Sequence, residues 1–424
     1  MLDGLISHLG QNVSSQIASS VGQVQTIRTD ELGWFIFAIA ATVCALLVPS
    51  LPGVNRVVSF FLMMVVFVFS TFLLVSTDNM IGFLVLWEFT ALSAWGVGRL
   101  GLRSGNPVLG ALPVNAVGSL SSIAMFAFIA LLIIQSGSLE IGDLRTTTPL
   151  LTMALLLTAI LLKVFGLLSN AWFEGNGVAF PIGNAILAGA GTAVVGLYPF
   201  LRFAGELVRQ SHDAQSLAIW AALAIALTFA LAALREFDLY RIASLLAFSQ
   251  FCLVLAVSSI ANPQAISGSL FAVTTYVFAA SVLFLSVGLV CEYFSVRHLS
   301  DMGGLARQRP PLALVFLIGV AATSGTPPFG TFVGKIASSL AMLGYPDPLV
   351  GLAWIAAWTA TVLFLFRALA AVLFPPSPSR APEKVYVFSV IPIAISSAFL
   401  AFAAASPSVV LSLLDPAIGR VLGW

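Results

Sequence analysis

Charge is what this sequence has least of: of its 424 residues, 8% are Asp, Glu, Lys or Arg. A soluble domain carries about 25%, so a soluble enzyme is excluded. Lysine is nearly missing, occurring only at positions 163, 335 and 384. Cysteine and histidine are as sparse. Cys44, Cys252 and Cys291 lie far apart and show neither disulfide nor metal spacing. His8, His212 and His298 are equally scattered, so no metal site is expected. A net charge of +1 supplies no basic field for nucleic acid. Nothing in the chain reads as a site for flavin, iron–sulfur or nickel. No cofactor and no catalytic residue is therefore assigned.

What fills the chain instead is apolar: 59% hydrophobic residues and a mean hydropathy of +1.05. A hydrocarbon core about 30 Å thick takes about 20 apolar residues per helix. Runs near 33–50, 57–76, 79–98, 111–135, 149–168, 180–201, 215–234, 242–261, 268–290, 311–335, 348–372 and 386–405 meet that length. They predict an all-α polytopic membrane protein with about twelve transmembrane helices. Arg56, Arg99, Arg103, Arg235, Arg241, Arg297, Arg307, Arg309, Arg380 and Lys384 fall in every second connection. Arg28, Arg145, Arg202, Arg209 and Arg420 fall on the other side. The positive-inside rule turns the first set to the cytoplasm, in a bacterial-type inner membrane. Asp3 and a polar opening stand where a signal peptide has its basic region, so none is expected. Leu2, Leu5, Ile6, Leu9, Val13, Ile17, Val21, Val24 and Ile27 instead show helical spacing. They predict an amphipathic segment on the membrane surface or docked to a partner.

Three ionisable residues interrupt the apolar runs. FLVLWEFTALSAW carries Glu88, ALLLTAILLKVFGLL carries Lys163, and PPFGTFVGKIASSLAM carries Lys335. Each costs about 2.5–3.5 kcal/mol on insertion scales, and such groups usually mark an ion or proton path. The alternative is a buried ion pair that only fixes helix packing. Two spans also look broken. A Gly-rich stretch after Lys163 ends at Pro181, and SGTPPFG, with Pro327 and Pro328, precedes Lys335. Proline removes a backbone donor. Broken helices at matching places in two halves mark inverted-repeat transporters. The expected organisation is an N-terminal amphipathic segment (1–32) and a leading helix (33–56). Two inverted five-helix repeats (57–203 and 215–372) follow, then a final helix with a short tail (373–424).

Four ordered motifs resemble the antiporter-like membrane subunits shared by respiratory complex I, Mrp-type sodium/proton antiporters and membrane-bound hydrogenases. LWEFTALSAW is similar to that family's W-E-x-x-x-L-S helix, with its glutamate at Glu88. LLKVFGLLSNAW is similar to its K-[AS]-x-x-x-P-L segment, with the lysine at Lys163 and Trp172 in register. DLYRIASLLAFSQ follows the D-[IL]-K-R…S-Q pattern through Asp238, Arg241, Ser249 and Gln250, with Tyr240 at the lysine. The long G-G-L…P-P…K segment ends on Lys335.

The resemblance implies a proton- or cation-translocating subunit of a multisubunit complex, with Glu88 modulating Lys163 and Lys335 facing a second half-channel. A carboxylate beside a lysine favours its charged form, and burial away from water favours the neutral one. At an effective dielectric near 20, unit charges about 4 Å apart attract by roughly 4 kcal/mol. The partners implied are other membrane subunits, the lipid bilayer, and protons or sodium ions. Any redox chemistry would belong to another subunit of an oxidoreductase complex. The sequence also departs from the family. Ala188 and Val194 stand where it has His and Lys in one helix. Ala272, Tyr276 and Ala280 replace the H-x-x-x-H-x-x-x-K residues of another. Thr274, Thr275, Tyr276 and Ser281 are the polar groups left to bridge that gap. Counterparts of the first two of about fourteen family helices are missing, and about 18 residues follow the last span, too few for a long lateral helix. Two other readings stay open: a non-conducting structural subunit, and the membrane half of a proton-coupled inorganic-carbon uptake system.

Overall fold

The computed structural model describes residues 29–53, 57–100, 111–143, 146–169, 181–260, 262–294, 296–374 and 390–422. The amphipathic pattern over 2–27 lies outside the described residues. Helices follow one another along the chain: α1 (Glu31–Leu47), α2 (Val57–Val75), α3 (Met80–Leu100), α4 (Ala111–Ser136) and α5 (Pro149–Ser169). Then come α6 (Pro181–Gln210), α7 (His212–Arg235), α8 (Leu239–Ser258) and α9 (Pro263–Tyr293). The set closes with α10 (Pro310–Ser324), α11 (Gly330–Leu343), α12 (Pro348–Leu373), α13 (Ile391–Ala405) and α14 (Pro407–Leu422).

Local chemistry sets the helix starts. Asp30 accepts from Gly33 N at 2.8 Å, Asp238 from Tyr240 N and Arg241 N, and Asn262 from Ala265 N at 2.6 Å. These side chains satisfy donors that a helix start leaves open. Proline stands at N1 in α9 and α12, where its missing N–H costs nothing.

This is a multi-pass helical membrane protein. Among the described residues ten helices are long and apolar enough to cross a membrane, or eleven if the bent pair near the C-terminal end is one span. Two of the expected twelve spans differ from a single helix. The 311–335 run is two shorter helices, α10 and α11, separated at 325–329. Gly325, at φ +71°, ends α10 in the left-handed region, a common glycine stop. Pro327 and Pro328 fill the link. The final expected span, 386–405, is described from Ile391, as α13. The short tail expected after it is instead a helix, α14, bent by 93° from α13. Ser406 precedes Pro407, and a residue before proline is pushed out of the helical region. The helix carrying Lys163 ends at Ser169 and Pro181 opens α6; the Gly-rich stretch expected to interrupt the chain between them lies outside the described residues.

Helices α6, α8 and α9 form the centre. The apolar window of α6 is wholly buried, and those of α8 and α9 nearly so. α9 packs against α6, α8, α10, α11, α13 and α14. Inside α6 the backbone widens into π turns over Leu187–Gly191 and Ala193–Leu197. Gly196 lies so close under its neighbours that an added Cβ would come 2.6 Å from Val164 and 2.7 Å from the Phe251 ring. Phe165, Phe229 and Phe248 extend this apolar wall. Overpacking a fixed core costs about 1–3 kcal/mol. Gly196→Val is expected to lower the thermal unfolding midpoint in detergent; an unchanged midpoint would show that Val164 and Phe251 yield freely.

Candidate functional site

Three helices bring the first polar site together. Lys163 on α5 points its ammonium at Glu88 on α3, with Nζ 3.0 Å from Oε1 and 2.9 Å from Oε2. It also donates to Ser122 Oγ on α4 at 2.9 Å. Trp87 packs its ring against the same ammonium, 4.4 Å from Nζ to the centroid. That contact adds a cation–π attraction. All three ammonium hydrogens thus have an acceptor in reach, through two carboxylate oxygens and one hydroxyl. The pair is unequal in burial: the Lys163 side chain is 8% exposed and Glu88 37%. Glu88 therefore lies at the rim, on a face that also exposes Val85, Phe89 and Leu92.

Trp87 also reaches the central helix, donating from Nε1 to Val195 O at 2.8 Å. That carbonyl belongs to a π turn, where the i to i−4 ladder is interrupted. On the opposite side Tyr276 OH contacts Ala188 O and Thr192 Oγ1, each at 3.2 Å. Ser281 Oγ donates to Ala185 O. Side chains from α3 and α9 therefore meet carbonyls of α6, as buried backbone in an apolar bundle requires.

Lys335 makes the second site, on α11 just past the break. It is buried, and its Nζ has no hydrogen-bond partner among the described residues. Trp354 of α12 lies 5.4 Å away, ring centroid to Nζ. No carboxylate pairs with Lys335 among the described residues. A cavity of about 20 Å³ adjoins it, with Gln250, Thr275, Tyr276, Thr323, Thr331 and Ser338 in its wall. Tryptophans of α12 brace the broken helix: Trp358 Nε1 donates to Ser324 O and Trp354 Nε1 to Ser339 Oγ.

The sequence-selected residues thus fall into two groups. Glu88 and Lys163 touch; Lys335 stands apart with Tyr276 and Thr275 along its cavity. Thr274 and Thr275 donate to carbonyls of their own helix, whereas Tyr276 crosses to α6. Val164, next to Lys163, and Phe251, next to Gln250, both press on Gly196 of α6. Ala272 also lines the cavity.

Two charged features escaped the sequence reading. Arg202, counted as a connection residue, is buried within α6 and clamped between Asp30 and Asp78. Arg420 of α14 joins Asp30 at 3.0 Å. These residues, with Glu140, Glu206 and Arg209, line a cleft of about 500 Å³. All come from connections assigned to the outer side. The signal was the Tyr198–Gln210 segment, whose charges are spaced along one amphipathic face. Arg367, inside the 348–372 run, donates to Ala233 O at the end of α7 and lies over the Phe237 ring. Among the described residues no group of three His, Cys, Asp or Glu could hold a metal ion.

The site is thus set in a polytopic helical bundle with two buried lysines, one paired with a carboxylate and one beside a broken helix. The chain belongs to the NADH:quinone oxidoreductase/Mrp antiporter transmembrane family, whose model matches residues 76–363. It is 27% identical over 347 residues to hydrogenase-4 component B of Escherichia coli, covering 73% of this chain and 50% of that one. In fold it is similar to a chain of the Mrp complex from Dietzia sp., with a TM-score of 0.78 at 17% identity, covering 99% of this chain and 92% of that one. It is also similar to a chain of respiratory complex I from Thermus thermophilus, with a TM-score of 0.74 at 18% identity, covering 93% and 85%. The chain spans half or less of the length of the curated relatives first matched.

Exposed ion pairs contribute about 0–1 kcal/mol, and breaking a buried one costs about 3–5 kcal/mol. The half-buried Glu88–Lys163 pair lies between these limits. Glu88→Gln and Lys163→Met are each expected to destabilise the protein, and the double variant to regain part of the loss, with a coupling of about 1–3 kcal/mol. Unfolding midpoints in detergent measure the cycle; additive losses would show that the pair does not interact energetically.

Proposed function

We propose that this chain is a proton-translocating, antiporter-like subunit of a multisubunit complex in a bacterial-type inner membrane. The observation that carries the reading is Lys163 held between Glu88 and Ser122 at membrane depth, with a second buried lysine beside a broken helix. Lysine donors suit protons better than sodium, because a metal cation needs oxygen ligands and an ammonium repels it. Movement of a charge near Glu88 would change the hold on Lys163 and drive proton uptake and release. Lys335 would serve a second half-channel.

The two five-helix units expected over 57–203 and 215–372 belong to this proposal. Their support is a repeated local pattern. Asn79 before α3 bridges to Glu140 after α4, and Asp238 before α8 bridges to His298 after α9. Each cap accepts from the amides two and three residues on. The half-exposed Glu88 supports a neighbouring membrane subunit on that face, since a charge at membrane depth is costly without cover.

Lys163→Met and Lys335→Met are each expected to reduce proton translocation by about tenfold or more, taking each lysine as an obligatory carrier, while the complex still assembles. The measurement is pH-gradient formation in vesicles, with assembly followed on native gels. A second reading, a non-conducting subunit, is favoured by Ala272, Tyr276 and Ala280, which stand where the resembled family has its H-x-x-x-H-x-x-x-K residues. Full coupling in both lysine variants would establish that reading instead.

A further inference from the structure

The cavity beside Lys335 gathers three polar atoms without a hydrogen-bond partner among the described residues: Lys335 Nζ, Gln250 Nε2 and Ser338 Oγ. All three side chains belong to residues at least nine-tenths buried. A buried polar group left unpaired is costly, so three around one cavity point to a bound species. The space, about 20 Å³, exceeds the roughly 10–15 Å³ that one water needs. Thr323 and Thr331 on its wall donate their hydroxyl hydrogens to backbone carbonyls. Their oxygens retain lone pairs to accept from a water.

Gln250 also holds a telling place in the fold. Glu88 lies on α3, which begins at the capping and bridging residue Asn79. Gln250 lies on α8, which begins at the capping and bridging residue Asp238. On α5, Lys163 meets the α3 carboxylate; on α11, Lys335 shares a cavity with the α8 amide. The second site has an amide where the first has a charge.

We propose that Gln250 is the positioning partner of Lys335, and that the two hold one water between them with Ser338 as a further contact. The proposal rests on the reading of Lys335 as a proton carrier. An amide both donates and accepts. Through a water it can serve lysine with or without its proton, whereas a carboxylate favours only the charged form. Lys163 is thereby held by charge, and Lys335 by a neutral partner.

The test uses the assembled complex. Gln250→Glu is expected to pin Lys335 in a second ion pair and to slow translocation about tenfold or more, each ~1.4 kcal/mol of preference for the charged lysine being a factor of ten. Gln250→Met keeps the length of the side chain and removes the amide. It is expected to slow translocation and to abolish a bound-water O–H band, identified by difference infrared spectroscopy with H2O of heavy oxygen. Full rate and an unchanged band in Gln250→Met would overturn the proposal. A microscopy map of the parent complex that resolves ordered water decides the matter even if the variants fail to assemble. Density within hydrogen-bond reach of both Nζ and the amide supports it, and an empty cavity overturns it. Full translocation in Lys335→Met would instead remove the proton-carrier reading, while the water band and map still judge the water site.

Discussion

A polar group inside an apolar bundle must find its partner within the protein, and the rest of this structure depends on that constraint. Water at the surface can take up an orphan donor; hydrocarbon cannot. The two lysine sites meet the demand differently. Lys163 is surrounded by a carboxylate, a hydroxyl and an aromatic ring. Lys335 has an aromatic ring and a small polar cavity. The first arrangement fixes a charge, and the second gives its ammonium no counter-ion among the described residues.

The same constraint shapes the central helix. Its π turns break the regular ladder, and Trp87 and Tyr276 supply donors to two of its carbonyls. Both aromatics sit beside a lysine site, so each site is fastened to α6 by a neighbouring ring. Gly196 of the same helix is pressed by Val164 and Phe251. Tyr276 and Thr192 give the polar contact from the Lys335 side onto this helix.

Much of this was legible in the chain because isolated charges and prolines stand out against apolar runs. Glu88, Lys163 and Lys335 were visible as single ionisable residues in long spans, and the Pro327–Pro328 pair marked the interruption of 311–335. Other features were hidden for physical reasons. The π turns arise in a Gly/Ala-rich stretch whose composition is also that of an ordinary helix. Arg202 follows the apolar run of α6 closely enough to pass for a flanking charge, and only its tertiary partners, Asp30 and Asp78, show it to be interior. Arg367 stands out in its span as Glu88 does, but its partners, Ala233 O and the Phe237 ring, are visible only in the packed structure. The final helix was missed because the few residues after the last span were set aside as a tail, although proline is tolerated at a helix start and α14 accommodates Pro416. Gln250 drew notice only as part of a motif; its place opposite Lys335 needed the packing of α8 against α11.

The clamp at Asp30 also orders events in time. Its two arginines follow it by 172 and 390 residues. At about 5–20 residues per second of synthesis, Arg202 emerges roughly 10–35 s after Asp30, and Arg420 roughly 20–80 s after. The carboxylate at the head of α1 therefore waits some tens of seconds longer for its second counter-ion than for its first. The end of the bundle at Asp30 is closed only once Arg420 has been made, and a chain interrupted before that point inserts its helices with that end still open.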